Sequence, residues 1–474
     1  MDERLLLVLC VAAPVIGSFF LSFIGNRAPK GRNLLALVFV AFSFFSAAAL
    51  LPKAMSGSPV SFQILMPYGM TFGFYADALA VFMALISSFI GAVIVFYSFS
   101  YIKHYPNQNE YYMMVTLFLG AMMGIVFSSN LLFIYLFWEI SAICCWRLIG
   151  FFREKPYILR ADKAFLVTVG GALLMLLGFI SLYGETGTFY LPELKGMPIP
   201  NSAVILILCG ILSKSATLPF HTWLPDAGVA PSPVTSLLHA AVLVKIGVYV
   251  FARLFLLNFS LDAVWHQIIP VVAAVSALVS AGAALLENDI KRIIAYSTVS
   301  QIGFIFLGLS CGSALGAAGA VLYIMMHGLA KGGLFLCAGV VEQNTHNKDI
   351  RKMGGLISTM PLTAAAFLAC SFSIMGIPPF GGFFAKYLVI GGPIAAEQPW
   401  IAFTFIVGAI LTIIYLMRLF VMVFLAEPKT APAREGSRGM VFSVLALGLL
   451  SLLGGLFINF PSQIVEAIVS SMGW

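Results

Sequence analysis

Charged side chains are scarce in this sequence. Only 9% of its 474 residues carry charge and 61% are hydrophobic, whereas soluble domains have about 25% charged residues. A soluble fold cannot hide so much apolar surface from water, so lipid must be the solvent of this chain. Polar stretches are short as well, since the longest, such as 342–353 and 425–440, have the length of loops. We therefore expect residues 1–474 to form a single polytopic domain in the lipid bilayer.

Patterns that bind cofactors or metals are also missing. The seven cysteines lie mostly in apolar runs without a C-x-x-C pair, and we interpret them as small buried residues. The sequence has no glycine-rich dinucleotide fingerprint after a strand, no Walker motif and no histidine pair spaced to hold haem. The net charge of +7 reflects lysine and arginine in loops and does not indicate nucleic acid. We expect no cofactor and no metal in this chain.

Long apolar runs are what the sequence has instead. About twenty apolar residues span a bilayer, and on that basis we predict an all-α membrane fold of fourteen helices, the first retained as a helix rather than removed as a signal peptide. The predicted ranges are 5–25, 34–53, 78–100, 111–128, 131–151, 163–183, 202–220, 232–254, 265–287, 293–310, 314–341, 357–390, 400–424 and 441–470.

Positive charge is unevenly distributed among the predicted loops. Lysine and arginine cluster after odd-numbered helices, at Arg27, Lys30, Arg32, Arg153, Lys155, Arg160, Lys291, Arg292, Lys348, Arg351, Lys352, Lys429, Arg434 and Arg438. The loop after helix 6 has Glu185 and Glu193 against Lys195. The positive-inside rule places the odd loops in the cytoplasm. We therefore predict a protein of the cell's inner membrane with both termini on the outer side.

Two of the predicted helices are interrupted. Helix 7 meets Pro219 and Pro225, and helix 12 contains Gly376, Pro378 and Pro379 within an apolar run. Proline removes a backbone donor and blocks the carbonyl one turn back, which is tolerated in lipid only where protein or water satisfies the freed groups. Interrupted helices in two separated parts of a chain are typical of transport sites built on repeats.

The spacing of these breaks predicts how the chain is organised. Five helices separate the two interruptions, which fits two inverted five-helix repeats, helices 4–8 and 9–13. Residues 1–110 would then hold helices 1–3, residues 111–254 the first repeat, residues 255–424 the second repeat, and residues 425–474 a loop and helix 14.

Several ionisable side chains fall inside the apolar runs, namely Glu139, Lys214, His239, Lys245, His327, Lys331 and Lys386. A charge at mid-bilayer costs about 2.5–3.5 kcal/mol, so the set costs on the order of 10 kcal/mol, which no folding requirement explains. A single lysine near a helix end is often an interface anchor, and a lone membrane histidine is often a hydrogen-bonded core residue. A row of such groups can instead pass charge along, because each protonation changes the pKa of its neighbour.

Two spacings add detail to this row. His327 and Lys331 are four residues apart and therefore share a helix face, which suits a proton step between imidazole and amine. Arg147 lies two turns after Glu139 and either extends to the cytoplasmic face or pairs with Glu139.

Six stretches of the sequence jointly resemble the antiporter-like membrane subunits shared by respiratory complex I, membrane-bound hydrogenases and Mrp-type sodium/proton antiporters. These stretches are Asn130–Phe152, Ser213–Ala227, Pro231–Tyr249, Asp289–Gly303, His327–Gly339 and Gly376–Lys386. They cover helices 4 to 13 in the order of the family.

The resemblance implies roles for the buried ionisable residues. Glu139 resembles the glutamate that pairs with the helix-7 lysine, here Lys214, and Lys245 resembles the central lysine of helix 8. His327 and Lys331 then correspond to the helix-11 relay and Lys386 to the terminal lysine, along a hydrated axis that ions enter and leave by half-channels. Asp77 matches an aspartate at the start of helix 3, where its plainer role is helix capping.

The sequence also departs from the family pattern. Gly171 stands nearest to the position in helix 6 where some members carry an acidic residue, and Arg147 stands where we expect an apolar or aromatic one. No long lateral helix follows helix 14, so we expect one of the shorter members.

These observations favour proton translocation, with sodium as the second candidate ion, by an antiporter-like subunit of a redox-driven complex related to complex I. The partners would be other membrane subunits, namely further antiporter-like subunits and a redox module that carries the redox centres. The alternative is a subunit of an Mrp-type Na⁺/H⁺ antiporter without redox chemistry. The cost of the buried charges argues against a purely structural scaffold, and a carrier for an organic solute would need pocket chemistry beyond the axis.

Overall fold

The computed structural model describes residues 2–25, 27–67, 70–429 and 434–473. Within these residues, twelve helices are long and apolar enough to cross a membrane, and two shorter apolar helices are Asn201–Lys214 and Pro361–Met375. Together they occupy the fourteen predicted positions, and the all-α membrane fold is confirmed.

The helices follow one another through mostly short links. They are α1 (Glu3–Ile24), α2 (Pro29–Met55), α3 (Ala78–Tyr101), α4 (Gln108–Phe127), α5 (Leu131–Ile149), α6 (Lys155–Thr186), α7 (Asn201–Lys214), α8 (Ser232–Phe255), α9 (Trp265–Leu286), α10 (Ile290–Ser310), α11 (Ala314–Thr345), α12a (Pro361–Met375), α12b (Gly381–Ala395), α13 (Pro399–Phe420), α14 (Arg438–Leu456) and α15 (Asn459–Ser471).

Proline and glycine set the interruptions that the sequence predicted. Helix α7 ends at Lys214, where Ala216 adopts the left-handed conformation with a φ of 52° and the backbone N–H of Thr217 donates to the carbonyl of Leu212. Pro219 then prevents the helix from resuming, because it has no N–H to donate. Helix α12a ends at Gly376, whose φ of 83° is the left-handed conformation that glycine adopts without strain. The two breaks are therefore observed, whereas the relation of the two five-helix units by an inverted repeat stays a prediction.

Two predicted helices differ from the structure. Helix α6 begins at Lys155 instead of 163, because Pro156 fits the first turn of a helix. Lys155 and Arg160 therefore lie on this helix and not in a loop. The predicted helix 441–470 is divided into α14 and α15, since Pro461 cannot continue a helix that enters from α14.

A β-hairpin that the sequence analysis did not predict precedes α3. Strands β1 (Val60–Leu65) and β2 (Thr71–Ala76) pair antiparallel, with Val60 opposite Ala76 and Leu65 opposite Thr71. Asp77 follows β2 directly and caps α3 by accepting a hydrogen bond from the backbone N–H of Ala80.

Ion pairs show that the odd-numbered links lie at one face of the molecule. Asp226, between α7 and α8, binds Lys163 near the start of α6 and Arg292 at the start of α10. Lys291 of α10 and Lys348 after α11 both bind Glu342. These ion pairs bring the links after α7, α9 and α11 and the start of α6 to the same face, and which side of the membrane this face lies on stays a prediction.

Candidate ion pathway

Glu139 and Lys214 begin a row of ionisable side chains across the middle of the helix bundle. Lys214, at the end of α7, is fully buried, and its Nζ donates to the carbonyl of Trp138, 3.2 Å away. The same Nζ lies 5.3 Å from the centre of the Trp138 ring. Glu139 is half-buried, and its Oε1 has no hydrogen-bond partner among the described residues. The predicted pair is therefore neighbouring but not joined by a direct ion pair.

Helix α8 carries the next lysine behind an irregular turn. Residues Leu237–Ala241 form a π-helical turn, and the chain resumes a regular helix at Leu243. This turn brings the Nζ of Lys245 onto the carbonyl oxygen of Ala240 and within 3.0 Å of Nδ1 of His327. π-Helical turns within α-helices are frequent at functional sites. Its residues include neither proline nor glycine, so no sequence pattern predicted it.

The end of α7 packs directly against α8 next to Lys245. A Cβ atom at Gly247 would collide with Ser215 and with the backbone of Ile211. The absence of a side chain at Gly247 therefore lets the two helices approach, and it places the Lys214 and Lys245 segments side by side.

The two histidines of the row differ in their contacts. His327 is bound to Lys245 through Nδ1, while its Nε2 has no partner among the described residues. His239 is fully buried, its ring nitrogens have no such partner either, and its ring packs 4.3 Å from that of Phe335. A direct contact between an amine and an imidazole can hold or exchange a proton, and the Lys245–His327 pair has this geometry.

Lys331 leads into a hydrogen-bond network between α10, α11 and α13. Its Nζ donates to Oγ of Ser297 at 2.6 Å and to the carbonyl of Ile294 at 3.1 Å. Oγ of Ser297 also accepts from the hydroxyl of Tyr415 at 2.8 Å. Nε2 of Gln301 donates to Tyr415, and Oε1 of Gln301 accepts from Tyr323 at 2.6 Å. The sequence analysis missed this network. The sequence pattern that could have indicated this network is the four-residue spacing of Ser297 and Gln301, and of Tyr323 and His327, within apolar helices.

Lys386 ends the row on α12b. Its Nζ lies 4.6 Å from the ring centre of Phe304 and 5.9 Å from that of Tyr323, with no hydrogen-bond partner among the described residues. The side chain also lines a cleft of about 360 Å³ at the break of helix 12. Lys386 is therefore near the network of Lys331 and at the edge of the protein at the same time.

Lysine predominates over carboxylate in this row. Of the ten ion pairs among the described residues, none involves Lys245, Lys331 or Lys386. Carbonyl, hydroxyl, imidazole and aromatic groups take the place of acidic partners. The structure thus places the seven predicted residues on neighbouring helices, with a direct side-chain contact between Lys245 and His327.

Two interpretations of single residues can now be judged. Arg147 binds Glu110 at the start of α4, so its proposed pairing with Glu139 is wrong, and it extends to the face of the odd links. A Cβ atom at Gly171 would collide with Ser213 of α7. Close contact between α6 and α7 therefore leaves no room for an acidic side chain at this position.

Two clefts open at opposite faces of the bundle. One, of about 720 Å³, is lined by Tyr101, His104 and Glu342 among others, at the face of the odd links. The other, of about 670 Å³, is lined by Asp77 and Arg253, whose side chains form an ion pair with Nη1 of Arg253 2.5 Å from Oδ2 of Asp77. Neither the Asp77–Arg253 pair nor the role of Glu342 was predicted.

The fold and this row define a polytopic membrane protein with a line of ionisable side chains in its buried middle. A family model described as NADH:quinone oxidoreductase/Mrp antiporter, transmembrane, matches residues 128–412. A second model, for the N-terminus of complex I chain 5, matches residues 64–112. The chain belongs to this family of antiporter-like membrane subunits.

Individual relatives add to the family assignment. Na⁺/H⁺ antiporter subunit A1 of Staphylococcus haemolyticus is 33% identical over 500 residues, which cover 98% of this chain and 61% of the relative. The subunit A1 of Staphylococcus aureus is 32% identical over 504 residues, covering 98% and 62%. The chain thus spans about three fifths of the length of these curated relatives.

Solved structures share the fold. A chain of the Mrp complex from Dietzia sp. superposes with a TM-score of 0.91 at 23% identity, covering 100% of this chain and 98% of that one. A chain of a membrane-bound sulfane sulfur reductase, an archaeal respiratory membrane complex, gives a TM-score of 0.89 at 22% identity, covering 98% and 97%.

Proposed function

We propose that this chain is an ion-translocating subunit of a multi-subunit Na⁺/H⁺ antiporter of the Mrp type. The observation that carries the proposal is the row of Glu139, Lys214, Lys245 with His327, Lys331 and Lys386 on neighbouring helices of the bundle. The identity with Na⁺/H⁺ antiporter subunit A1 proteins favours the antiporter over the redox-driven complex that the sequence analysis preferred.

The physical basis is the cost of unpaired charge in a water-poor interior. The idealised cost of moving an ammonium-sized ion into a medium of low dielectric is of order 20 kcal/mol, and several kcal/mol remain after relaxation. In a row of lysines without acidic partners, a proton arriving at one lysine disfavours protonation of the next. A row of such residues can move protons stepwise, with His327 as the partner of Lys245 in direct contact.

The two ends of the row suggest where other subunits in the membrane would contact this chain. Glu139 is half-exposed between Leu136 and Ile143, which are 46% and 48% exposed, and Lys386 lines a cleft at the opposite end of the row. Charged groups that reach lateral, apolar surfaces fit neighbouring membrane subunits better than lipid. We propose that further antiporter-like subunits adjoin these ends, in an inner-membrane complex that transports H⁺ and Na⁺.

A redox-driven complex is the second candidate. It is favoured by the fold shared with a chain of an archaeal respiratory membrane complex. In that case electron transfer in a separate module would drive the same row of residues, and the redox centres would belong to partner subunits.

The test is ion uptake into inverted membrane vesicles that contain the complete complex. Addition of Na⁺ without an electron donor should dissipate a pre-formed pH gradient. Lys245→Ala, Glu139→Gln and Lys214→Met should each abolish or strongly reduce this exchange while the complex still assembles, and Lys155→Ala at the exposed start of α6 should retain it. Acidification that requires a reduced donor would select the redox-driven complex, and normal flux in all three variants would refute the role of the row.

A further inference from the structure

Between Lys331 and Lys386 lies a chain of neutral polar side chains that the family resemblance did not assign. Resting on the proposed function, we infer that Gln301 is a positioning residue of the ion pathway. Its amide joins Tyr415 and Tyr323 into one hydrogen-bonded link, which ties the charge state of Lys331 to the surroundings of His327 and Lys386.

The link is continuous and completely enclosed. Ser297, Gln301, Tyr323, Thr412 and Tyr415 are each 0% exposed. Nε2 of Gln301 lies 3.3 Å from the Tyr415 hydroxyl and 3.1 Å from Oγ1 of Thr412, and the Tyr415 hydroxyl also lies 3.3 Å from Oγ1 of Thr412. The hydrogen bonds from Tyr323 to Gln301, from Tyr415 to Ser297 and from Lys331 to Ser297 are 2.6–2.8 Å long. Buried networks of this kind polarise one another and act as a unit.

The amide of Gln301 gives the link a direction. Oε1 can only accept and Nε2 can only donate, so Tyr323 donates to the amide while the amide donates to Tyr415. Tyr415 then donates to Ser297, which leaves Oγ of Ser297 as an acceptor for the ammonium of Lys331. In this arrangement Oγ of Ser297 and the carbonyl of Ile294 both accept from Nζ of Lys331.

Rotation of the amide by half a turn would reverse the link. Oε1 would then accept from Tyr415, the oxygen of Tyr415 would be free to accept from Ser297, and Nε2 would donate to Tyr323, while the present hydrogen bond from Nε2 to Oγ1 of Thr412 would be lost. No proton leaves its heavy atom in this change, because only the directions of hydrogen bonds are exchanged. The ring of Tyr323 lies 5.8 Å from that of His327 and 5.9 Å from Nζ of Lys386, so the reversal changes the polar environment at both.

Neutral hydrogen bonds are needed here because no acidic side chain among the described residues binds Lys331, His327 or Lys386. The charged and titratable groups around Lys331 are Lys245 and His239 on α8, His327 on α11, Lys386 on α12b and Tyr415 on α13. Repulsion among these cations keeps them from being protonated together, but it does not set an order. A link whose hydrogen bonds all point in one direction favours one order of protonation among these residues.

The experiment compares ion flux and its pH profile in vesicles with the complete complex, for wild type, Gln301→Met, Tyr415→Phe and the double variant. Couplings between sites correspond to about 5–150-fold, and we expect each single variant to lose about tenfold in flux and to shift the pH profile. The double variant should retain at least as much ion flux as the less active of the two single variants, because both substitutions break the same hydrogen-bonded link. Tyr111→Phe is the control, since it removes a fully buried hydroxyl that is bonded to Ser98 at 2.6 Å, away from the row.

A network between three helices also stabilises packing, so melting temperatures are measured alongside. Tyr415→Phe removes a single oxygen and serves if Gln301→Met fails to fold. Flux and pH profile within twofold of the Tyr111→Phe control, together with no flux in Lys245→Ala, would overturn the link and leave the proposed function intact. Full flux in Lys245→Ala would instead refute the proposed function itself.

Discussion

At the scale of single residues, the ion pair between Asp77 and Arg253 shows how one side chain serves two structures. Asp77 caps α3 and at the same time binds the guanidinium of Arg253 at the end of α8, whose side chain is 6% exposed. Arg253 in turn donates to the hydroxyl of Tyr249. Burial by itself would raise the pKa of Asp77, but the nearby guanidinium outweighs it, and the pKa lies below the ordinary value of 3.8.

Replacing Asp77 separates its two roles. Asp77→Asn keeps a capping oxygen but leaves Arg253 buried without a counter-charge, which should lower the free energy of unfolding by about 3–5 kcal/mol. Asp77→Ala should lose about 1 kcal/mol more with the cap. Because the native pKa is lowered, the pair contributes its full stability above pH 3.8 and loses it as the pH falls through the native pKa. Thermal unfolding of the purified protein in detergent at several pH values measures this.

Arg253→Met supplies the matched control. The double variant Asp77→Asn with Arg253→Met removes both charges and should recover a large part of the lost stability. If the double variant is as unstable as the sum of the singles, the pair itself is not what stabilises this end of α3 and α8.

At the scale of elements, the break of helix 12 depends on close contact with α14. A Cβ atom at Gly455 of α14 would collide with the carbonyl of Pro379 and the amide of Gly381. These two residues flank the start of α12b, which carries Lys386. The absence of a side chain at Gly455 thus allows α14 to hold the break and, through it, the position of Lys386.

Gly455→Ala should therefore disturb both stability and transport. Overpacking costs about 1–3 kcal/mol, and the forced movement of α12b should reduce ion flux. Gly170→Ala in the lipid-facing part of α6 is the control, because no atom lies within 4 Å of its Cβ position. Alanine there should leave stability unchanged or raise it by about 0.5–1 kcal/mol. Equal melting temperature and flux in the two variants would show that the contact is not needed.

At the scale of the whole molecule, the two faces of the bundle differ in charge. The face of the odd links holds the ion pairs of Asp226 and Glu342 with Lys163, Arg292, Lys291 and Lys348, and the hairpin lies at the opposite face with the Asp77–Arg253 pair. The positive-inside rule predicts that the first face lies in the cytoplasm.

Labelling of introduced cysteines tests this orientation. In intact cells, a membrane-impermeant maleimide should modify Ser58→Cys and Glu185→Cys, which are exposed on the hairpin side. Lys155→Cys and Lys429→Cys should react only after permeabilisation. The native cysteines give a low background, since six of the seven are buried and Cys209 is partly so. The reverse pattern would invert the predicted topology and exchange the roles of the two clefts.

The sequence by itself determined the fold class, the helix positions, both proline-based breaks and the candidate ionisable residues. These follow from local physics, since apolar length, proline chemistry and the cost of charge in lipid can be judged one segment at a time. Only the tertiary structure determined which side chains contact each other. Arg147 binds Glu110 and not Glu139, Lys214 binds a carbonyl and not a carboxylate, and Lys331 joins Gln301 through hydroxyls from two further helices. Such contacts depend on how helices distant in sequence rotate and approach each other, and side-chain spacing within one helix does not determine this.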